Sequence, residues 1–339
     1  MEGLAGAALV ALVLSDVFRT VVLPRPARRG LRLGPPLRSG ALRVWKAVIR
    51  RLSPEARAIM LGTLGPLLIV TELVVWVALL ILGYGLLLHA LGDGVRPVPG
   101  FMDALYAAGG SFLTLGMASP QEAVSVPVRL VVLIAAGSGL TVVTLVVTFL
   151  LSVQEALQRR EALVLRLRAR TGPKPSGLAV LDTHARLSEE HQATLREFFA
   201  DWEAWCADVL LTHRAFPILA YFRSNDEDCG WLAALGAVLD AAALVKTMSH
   251  DGSAEHAVLC HIMGTRLVQE LAEQFRLQPD GPDDVGRDRF VAVLRRLEQS
   301  GYDAGGDDAA WERFQPLRSQ YHPALQGLLD RFDVAGEGW

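Results

Sequence analysis

Cysteine is scarce here: three in 339 residues, Cys206, Cys229 and Cys260, all in the second half and none spaced as a disulfide framework. That excludes a small disulfide-stapled scaffold and predicts reduced thiols on a cytosolic side. Charged residues are few, at 20%, and aromatics stand at 7%. No phosphate-binding loop, Ser-His-Asp constellation or dinucleotide fingerprint occurs; Gly137-Ser138-Gly139 lies in an apolar run and opens no strand-to-helix turn. Neither an enzyme nor a cofactor is therefore expected. Positive charge is also missing where a nucleic-acid partner would need it. Residues 1–155 hold 13 Lys and Arg against 8 Asp and Glu, and residues 156–339 hold 20 against 28, so the formal net of −3 divides into +5 and −8. An acidic second half has no basic stripe to neutralise phosphates.

What the chain has instead is apolar length. Hydrophobic residues make up 51% and the mean hydropathy is +0.31, which predicts a portion buried in a lipid bilayer. Residues 3–23 give about the ~20 apolar residues that a ~30 Å hydrocarbon core requires, interrupted by Asp16 and Arg19, which sit i, i+3 and can pair. Glu2 at the start and the lack of a cleavage site before the basic run favour a retained helix over a signal peptide. A second block covers 59–91, and a third, 126–156, has no charge between Arg129 and Glu155. Glu72 inside the second block is a functional candidate, because an intramembrane carboxylate is costly; the alternative is a buried partner for Arg19 or Thr71. Gly62, Gly65, Gly83 and Gly85 read as close-packing points between helices.

Residues 25–57 hold ten Arg or Lys and one acid, Glu55, and basic residues also follow the third block from Arg159 to Lys174. By the positive-inside rule both segments face the cytoplasm, with the N-terminus outside. Within 25–57, Leu42, Trp45, Val48, Ile49 and Leu52 recur at helical spacing opposite basic residues, as in a helix lying in the headgroup plane. Between the second and third blocks, FMDALYAAGGSFLTLG (101–116) is apolar but too short to span, so it reads as a re-entrant segment.

On these residues the chain resembles potassium-channel-like pore-loop proteins of bacteria, which place an outer helix, pore helix, filter strand and inner helix in this order. Thr114, Leu115, Gly116, Met117 and Ala118 fall where the family has its filter, and Phe101 to Leu113 where it has the pore helix. Tyr221, Phe222, Arg223 and Ser224 match a Tyr-Phe-x-Ser motif of the family's tail. The resemblance implies an all-α membrane protein: an N-terminal transmembrane helix (1–24), a basic cytoplasmic linker (25–57), a pore module (58–157, with pore helix and filter at 101–119) and a helical cytoplasmic domain (178–335). It further implies a homotetramer in the bacterial inner membrane that passes monovalent cations, potassium first. A non-conducting sensor or scaffold of the same architecture is the alternative. A secondary transporter would need repeated bundles and midplane charges.

A filter replaces the ion's water shell with rings of backbone carbonyls, and Gly116 supplies the backbone freedom this needs. Thr141, Thr144 and Thr148, spaced by 3 and 4, would line the pore, and Gly137 and Gly139 are the candidate gating hinge. Ala118 stands where the family has its second filter glycine, and a left-handed backbone there would cost ~1–2 kcal/mol. Ser119 replaces the usual acid at the outer mouth, with Glu122 the nearest carboxylate.

The linker TGPKPSG (171–177) stops the inner helix through its two prolines. Beyond it, Leu195, Phe198, Phe199, Trp202, Trp205, Val209 and Leu210 form an apolar face introduced by Ser188 as N-cap. Further helical periods at 230–248, 254–276, 284–299 and 308–332, the last interrupted by Pro316 and Pro323, predict a bundle of four to six helices. His250, His256, Cys260 and His261 invite a zinc reading, since His256 and Cys260 are i, i+4. Without a Cys-x-x-Cys pair they read as core histidines and a buried thiol.

Overall fold

The computed structural model of the chain describes residues 1–23, 62–96, 100–114, 125–187, 191–224, 230–249, 254–277, 286–303 and 307–332, with isolated positions 40, 43, 45, 53, 60, 122 and 123. Almost all of the basic segment 25–57, where an interfacial helix is expected, the filter candidates Leu115, Gly116, Met117 and Ala118 with Ser119, and Ser188, Cys229 and His250 lie outside the described residues. Among the described residues the chain is all-helical apart from one two-residue β-ladder. It divides into two compact units, 1–154 with 214–218, and 155–213 with 219–339.

In the first unit, α1 (Glu2–Val21) packs against α2 (Leu64–Ala90). Glycines set the approach: a Cβ on Gly6 would lie 2.7 Å from the Gly83 carbonyl oxygen, and one on Gly83 would lie 2.8 Å from Val10 Cγ2. Further along, the Trp76 indole N–H donates to Asp16 Oδ2 at 3.0 Å. Gly6 therefore meets the far end of α2 and Asp16 its first half, so the helices are antiparallel. Both intramembrane carboxylates, Asp16 and Glu72, are buried. Thr71, offered as a partner for Glu72, donates its hydroxyl to the Leu67 carbonyl.

The short helix α3 (Phe101–Phe112) starts where Asp103 Oδ2 accepts the Gly100 N–H at 3.1 Å. Its Leu105 backbone lies on Gly85 of α2, where a Cβ would come within 3.2 Å, so that glycine is a packing point as expected. Strands β1 (Val95–Arg96) and β2 (Glu122–Ala123) pair antiparallel, and the Ser125 N–H donates to the Gly94 carbonyl at 3.2 Å. The segment between α2 and α4 (Val126–Thr171) thus leaves and returns at one level, with α3 inside it. At 12 residues, α3 is about 18 Å long, short of a bilayer crossing.

Helix α4 runs 46 residues, about 70 Å, more than twice the ~30 Å hydrocarbon thickness. It stops at the proline linker: Gly172 takes φ +87°, a left-handed geometry that glycine adopts without cost, and its N–H donates to the Arg168 carbonyl at 2.8 Å.

The second unit contains the last part of α4, then α5 (Gly177–Leu187), α6 (His191–Ala215, of which the stretch to His213 belongs here), α7 (Trp231–Met248), α8 (Glu255–Gln274), α9 (Arg287–Gln299), α10 (Asp307–Ser319) and α11 (His322–Phe332). Among the described residues, seven helices follow the linker, more than the four to six expected. Helix α5 has no counterpart among the periods read from the sequence, and the 308–332 period breaks into two at Gln320. Pro316 does not break it; it sits inside α10, and Pro323 falls in the first turn of α11, where its missing N–H costs nothing. The predicted apolar face of α6, from Leu195 to Leu210, is buried throughout. At the centre lies α7, against which α5, α8, α10 and α11 pack.

Among the described residues four helices are long and apolar enough to cross a membrane, α1, α2, α4 and α7, and the chain is a membrane protein. Hydropathy read from the sequence predicts three. The addition is α7, whose apolar window is 83% buried within the chain, against 22–39% for the other three.

Candidate functional site

Two places bring together residues that the sequence singles out. The first is the junction of α3 and α4. Gly139 sits so close to the carbonyl oxygen of Phe112, the last residue of α3, that a methyl group there would collide with it. The Tyr84 and Ser138 hydroxyls share a hydrogen bond of 2.9 Å, and the Tyr84 and Phe112 rings lie 6.4 Å apart, so α2, α3 and α4 meet at one point. Gly137, by contrast, is exposed, and a methyl group added there would have no described atom within 4 Å. Helix α4 continues without a break through both glycines.

Thr114, the first of the filter candidates, follows α3 with φ +52°, and its N–H donates to the Ser111 carbonyl at 3.1 Å. A β-branched residue in the left-handed region is strained by ~1–2 kcal/mol. Backbone strain is thus present at the first of the filter candidates; the strain expected at Ala118 falls, with Leu115, Gly116, Met117 and Ser119, outside the described residues. Of Glu122 the backbone is described, in β2.

Thr141, Thr144 and Thr148 are exposed, and each hydroxyl donates to the carbonyl four residues earlier. At about 100° per residue they fall on the face of α4 opposite Ala135, Gly139, Val142 and Val146, which are buried. Their hydrogen-bonded hydroxyls keep lone pairs for water or a cation, while Leu140, Val143 and Val147 beside them are exposed and apolar.

The second place, in the other unit, forms around Arg160, which sequence reading counts only as one basic residue among many. It is 2% exposed. Its guanidinium donates to the carbonyls of Leu219 at 3.1 Å and Phe222 at 2.9 Å, pairs with Glu161, and lies 5.0 Å from the centre of the Trp231 ring. Glu161 Oε1 also accepts from Ser224 Oγ at 3.3 Å, and Ser224 Oγ accepts the Trp231 N–H at 2.9 Å at the start of α7. Tyr221 packs edge-on against Phe275 and Phe332 at the ends of α8 and α11. The Tyr-Phe-x-Ser motif is therefore a clasp. Phe222 and Ser224 hold α4 and the start of α7, while Tyr221 gathers two further helix ends. His213 lies beside it, its ring 5.2 Å from Trp231; burial and then the Arg160 charge push its pKa down to about 3.

Of the histidine and cysteine cluster, Cys260 and His261 are core, His256 is half-buried, and His250 lies outside the described residues. His261 is buried with Nε2 3.2 Å from the Leu317 carbonyl, and its pKa is lowered to about 4, by burial first and Lys246 second. Burial pushes the Cys206 and Cys260 thiols up, leaving them unreactive. Among the described residues no three His, Cys, Asp or Glu side chains converge to hold a metal. A polar cluster that the sequence hides lies inside α7: Asp240 accepts from Arg318 at 3.2 Å and from the Tyr321 hydroxyl, all three buried. Periodicity cannot reveal it, since the partners are about eighty residues apart. Comparison with known protein families, with curated proteins and with solved structures finds no match to this chain.

Proposed function

We propose that the chain is one subunit of a tetrameric pore-loop cation channel of a bacterial inner membrane, with potassium as the principal ion. The observation that carries this reading is the helix that does not cross. Helix α3 sits in a segment closed at its base by the β1–β2 ladder, and its C-terminal end rests on Gly139 of α4. That end leads directly into Thr114 and the filter residues Leu115, Gly116, Met117 and Ala118. A C-terminal helix end carries partial negative charge, which favours a cation beyond it. Four such strands around an axis would supply the carbonyl rings that one chain cannot.

The face of α4 away from α3 then lines the path, with Thr141, Thr144 and Thr148 as hydroxyl rings below the filter. Gly139 acts in this reading as the seat of α3, and Gly137, on the open face, as the point where α4 has room to bend. Ser119 and Glu122 form the outer mouth. By the positive-inside rule the N-terminus is outside and the second unit is cytoplasmic, where the Arg160 clasp ties it to α4.

The competing reading keeps the architecture without conduction, as a membrane sensor signalling through the second unit; Ala118 and Ser119 in the filter favour it. Purified protein in liposomes under a potassium gradient decides between them. A channel dissipates the gradient passively and shows four chains by native mass spectrometry. Tight liposomes holding intact tetramers would remove the channel and leave the non-conducting reading.

A further inference from the structure

The 3-4 spacing that puts Thr141, Thr144 and Thr148 on one face of α4 does not stop with the apolar stretch. It continues as Leu151, Glu155, Gln158, Ala162, Leu165 and Ala169, and every one of these residues is exposed. The opposite face of the same stretch is covered: Ala156, Arg160, Val164 and Leu167 are buried within the second unit. The domain thus wraps one side of α4 and leaves the other side bare in strict heptad register, down to the last turn before the linker.

This bare row is unlike an ordinary wet helix face. Leu165 is 66% exposed, Ala162 and Ala169 flank it at small-residue spacing, and no charge falls on the row between Gln158 and Ala169. Nor is it a lipid face, because Glu155 and Gln158 lie on it, and Arg159 and Arg166 beside it pair with Asp208 and Asp201 of the same unit at 3.2 and 3.7 Å. A residue set that repeats every 3.5 positions, with a leucine at the d-type position and alanines at the a-type positions, fits the same set on another helix running in the same direction.

We infer that residues 155–169 of α4 form a parallel, in-register seam between copies of this chain, continuing the assembly beyond the membrane. The inference rests on the channel reading only for the number of copies and their common orientation. Within the seam the rows differ. Four Glu155 carboxylates facing one another repel, so the helices there enclose water and cations; Ala162, Leu165 and Ala169 are where the backbones draw together. Glu155 is drawn partly aside by Arg159 at 2.8 Å, but Arg159 is shared with Asp208, so the ring keeps net negative charge at the mouth.

The test is oxidative cross-linking of the full-length protein in liposomes with copper phenanthroline, in a Cys229→Ser background. Cys206 and Cys260 stay in place, being buried. Leu165→Cys and Ala162→Cys should each give covalent dimers rapidly, because a parallel in-register seam brings both residues to their own copies, whereas an antiparallel crossing does so at one of them at most. Leu211→Cys, on α6 and also 66% exposed in the native side chain, should remain monomeric. Absence of dimers at both 162 and 165, or equal dimerisation at 211, would overturn the seam. Flux measured on the parent in the same liposomes separates the two claims. Flux without cross-links removes the seam and leaves the channel, whereas cross-links without flux leave the seam and remove the channel.

Discussion

Helices α4 and α7 are both apolar enough to cross a bilayer, yet the chain treats them oppositely. The apolar window of α7 is 83% buried by its neighbours, and it carries Asp240 in contact with Arg318 and Tyr321. The window of α4 is 22% buried, and its exposed face mixes threonine hydroxyls with valine and leucine. A helix that is apolar all round needs an apolar surrounding, and composition does not say whether protein or lipid supplies it. Covering by the rest of the chain decides: α7 is enclosed by its neighbours, and α4 leaves most of its apolar window uncovered.

The contrast between the two helices is most exposed to failure at the buried ion pair. Asp240→Ala leaves the Arg318 guanidinium buried beside an empty site and should cost about 3–5 kcal/mol of unfolding free energy. Thr144→Val, on the open face of α4, should change stability by no more than about 0.5 kcal/mol. Denaturant unfolding of the full chain in detergent, followed by tryptophan fluorescence with Trp76 in the first unit and Trp202, Trp205 and Trp231 in the second, reads both. Equal losses would mean that the two helices are not in different surroundings.

A second pair of substitutions separates the two faces of α4 itself. Gly139→Ala drives a methyl into the Phe112 carbonyl and should cost about 1–3 kcal/mol as α3 is displaced. Gly137→Ala meets open space and gains helix propensity, so stability should hold or rise by up to about 1 kcal/mol. Thermal unfolding in the same detergent distinguishes them, and a reversed order would remove α3 from its seat on Gly139.

A weaker, pH-dependent effect is confined to the second unit. His213 and His261 have folded pKa values of about 3 and 4, below the ordinary histidine value of 6.5. Between these values the unfolded chain binds more protons, so the stabilisation is complete above about pH 6.5 and is lost progressively as pH falls toward 3. His213→Phe should flatten part of that decline. An unchanged slope would place His213 in water.

Much of this architecture is legible in the sequence because lipid imposes long apolar runs and helices impose 3.6-residue periods. The three long apolar helices, the stop at the proline linker and the buried face from Leu195 to Leu210 follow from such local rules, whereas the short helix at Phe101–Phe112 is expected, to Leu113, from the family resemblance. What escapes them is long-range. The Asp16–Trp76 bond, the Asp240–Arg318–Tyr321 cluster and the grip of Arg160 on Phe222 join residues about sixty to eighty positions apart. Arg160 in particular has the sequence appearance of a solvated inside-facing charge, and only burial distinguishes it from Arg159 next to it. The threonine row is legible as spacing; that it faces away from α3 is not.

Everything proposed for the channel turns on this row facing a water-filled ion path. In liposomes, Thr144→Cys in the Cys229→Ser background should react with a cationic, water-soluble thiosulfonate, and the reaction should shut down potassium flux. Ala243→Cys on α7, buried in the second unit, should neither react nor alter flux. A Thr144→Cys thiol that stays unreactive while the protein conducts, or that reacts fully without changing the flux, would contradict the account.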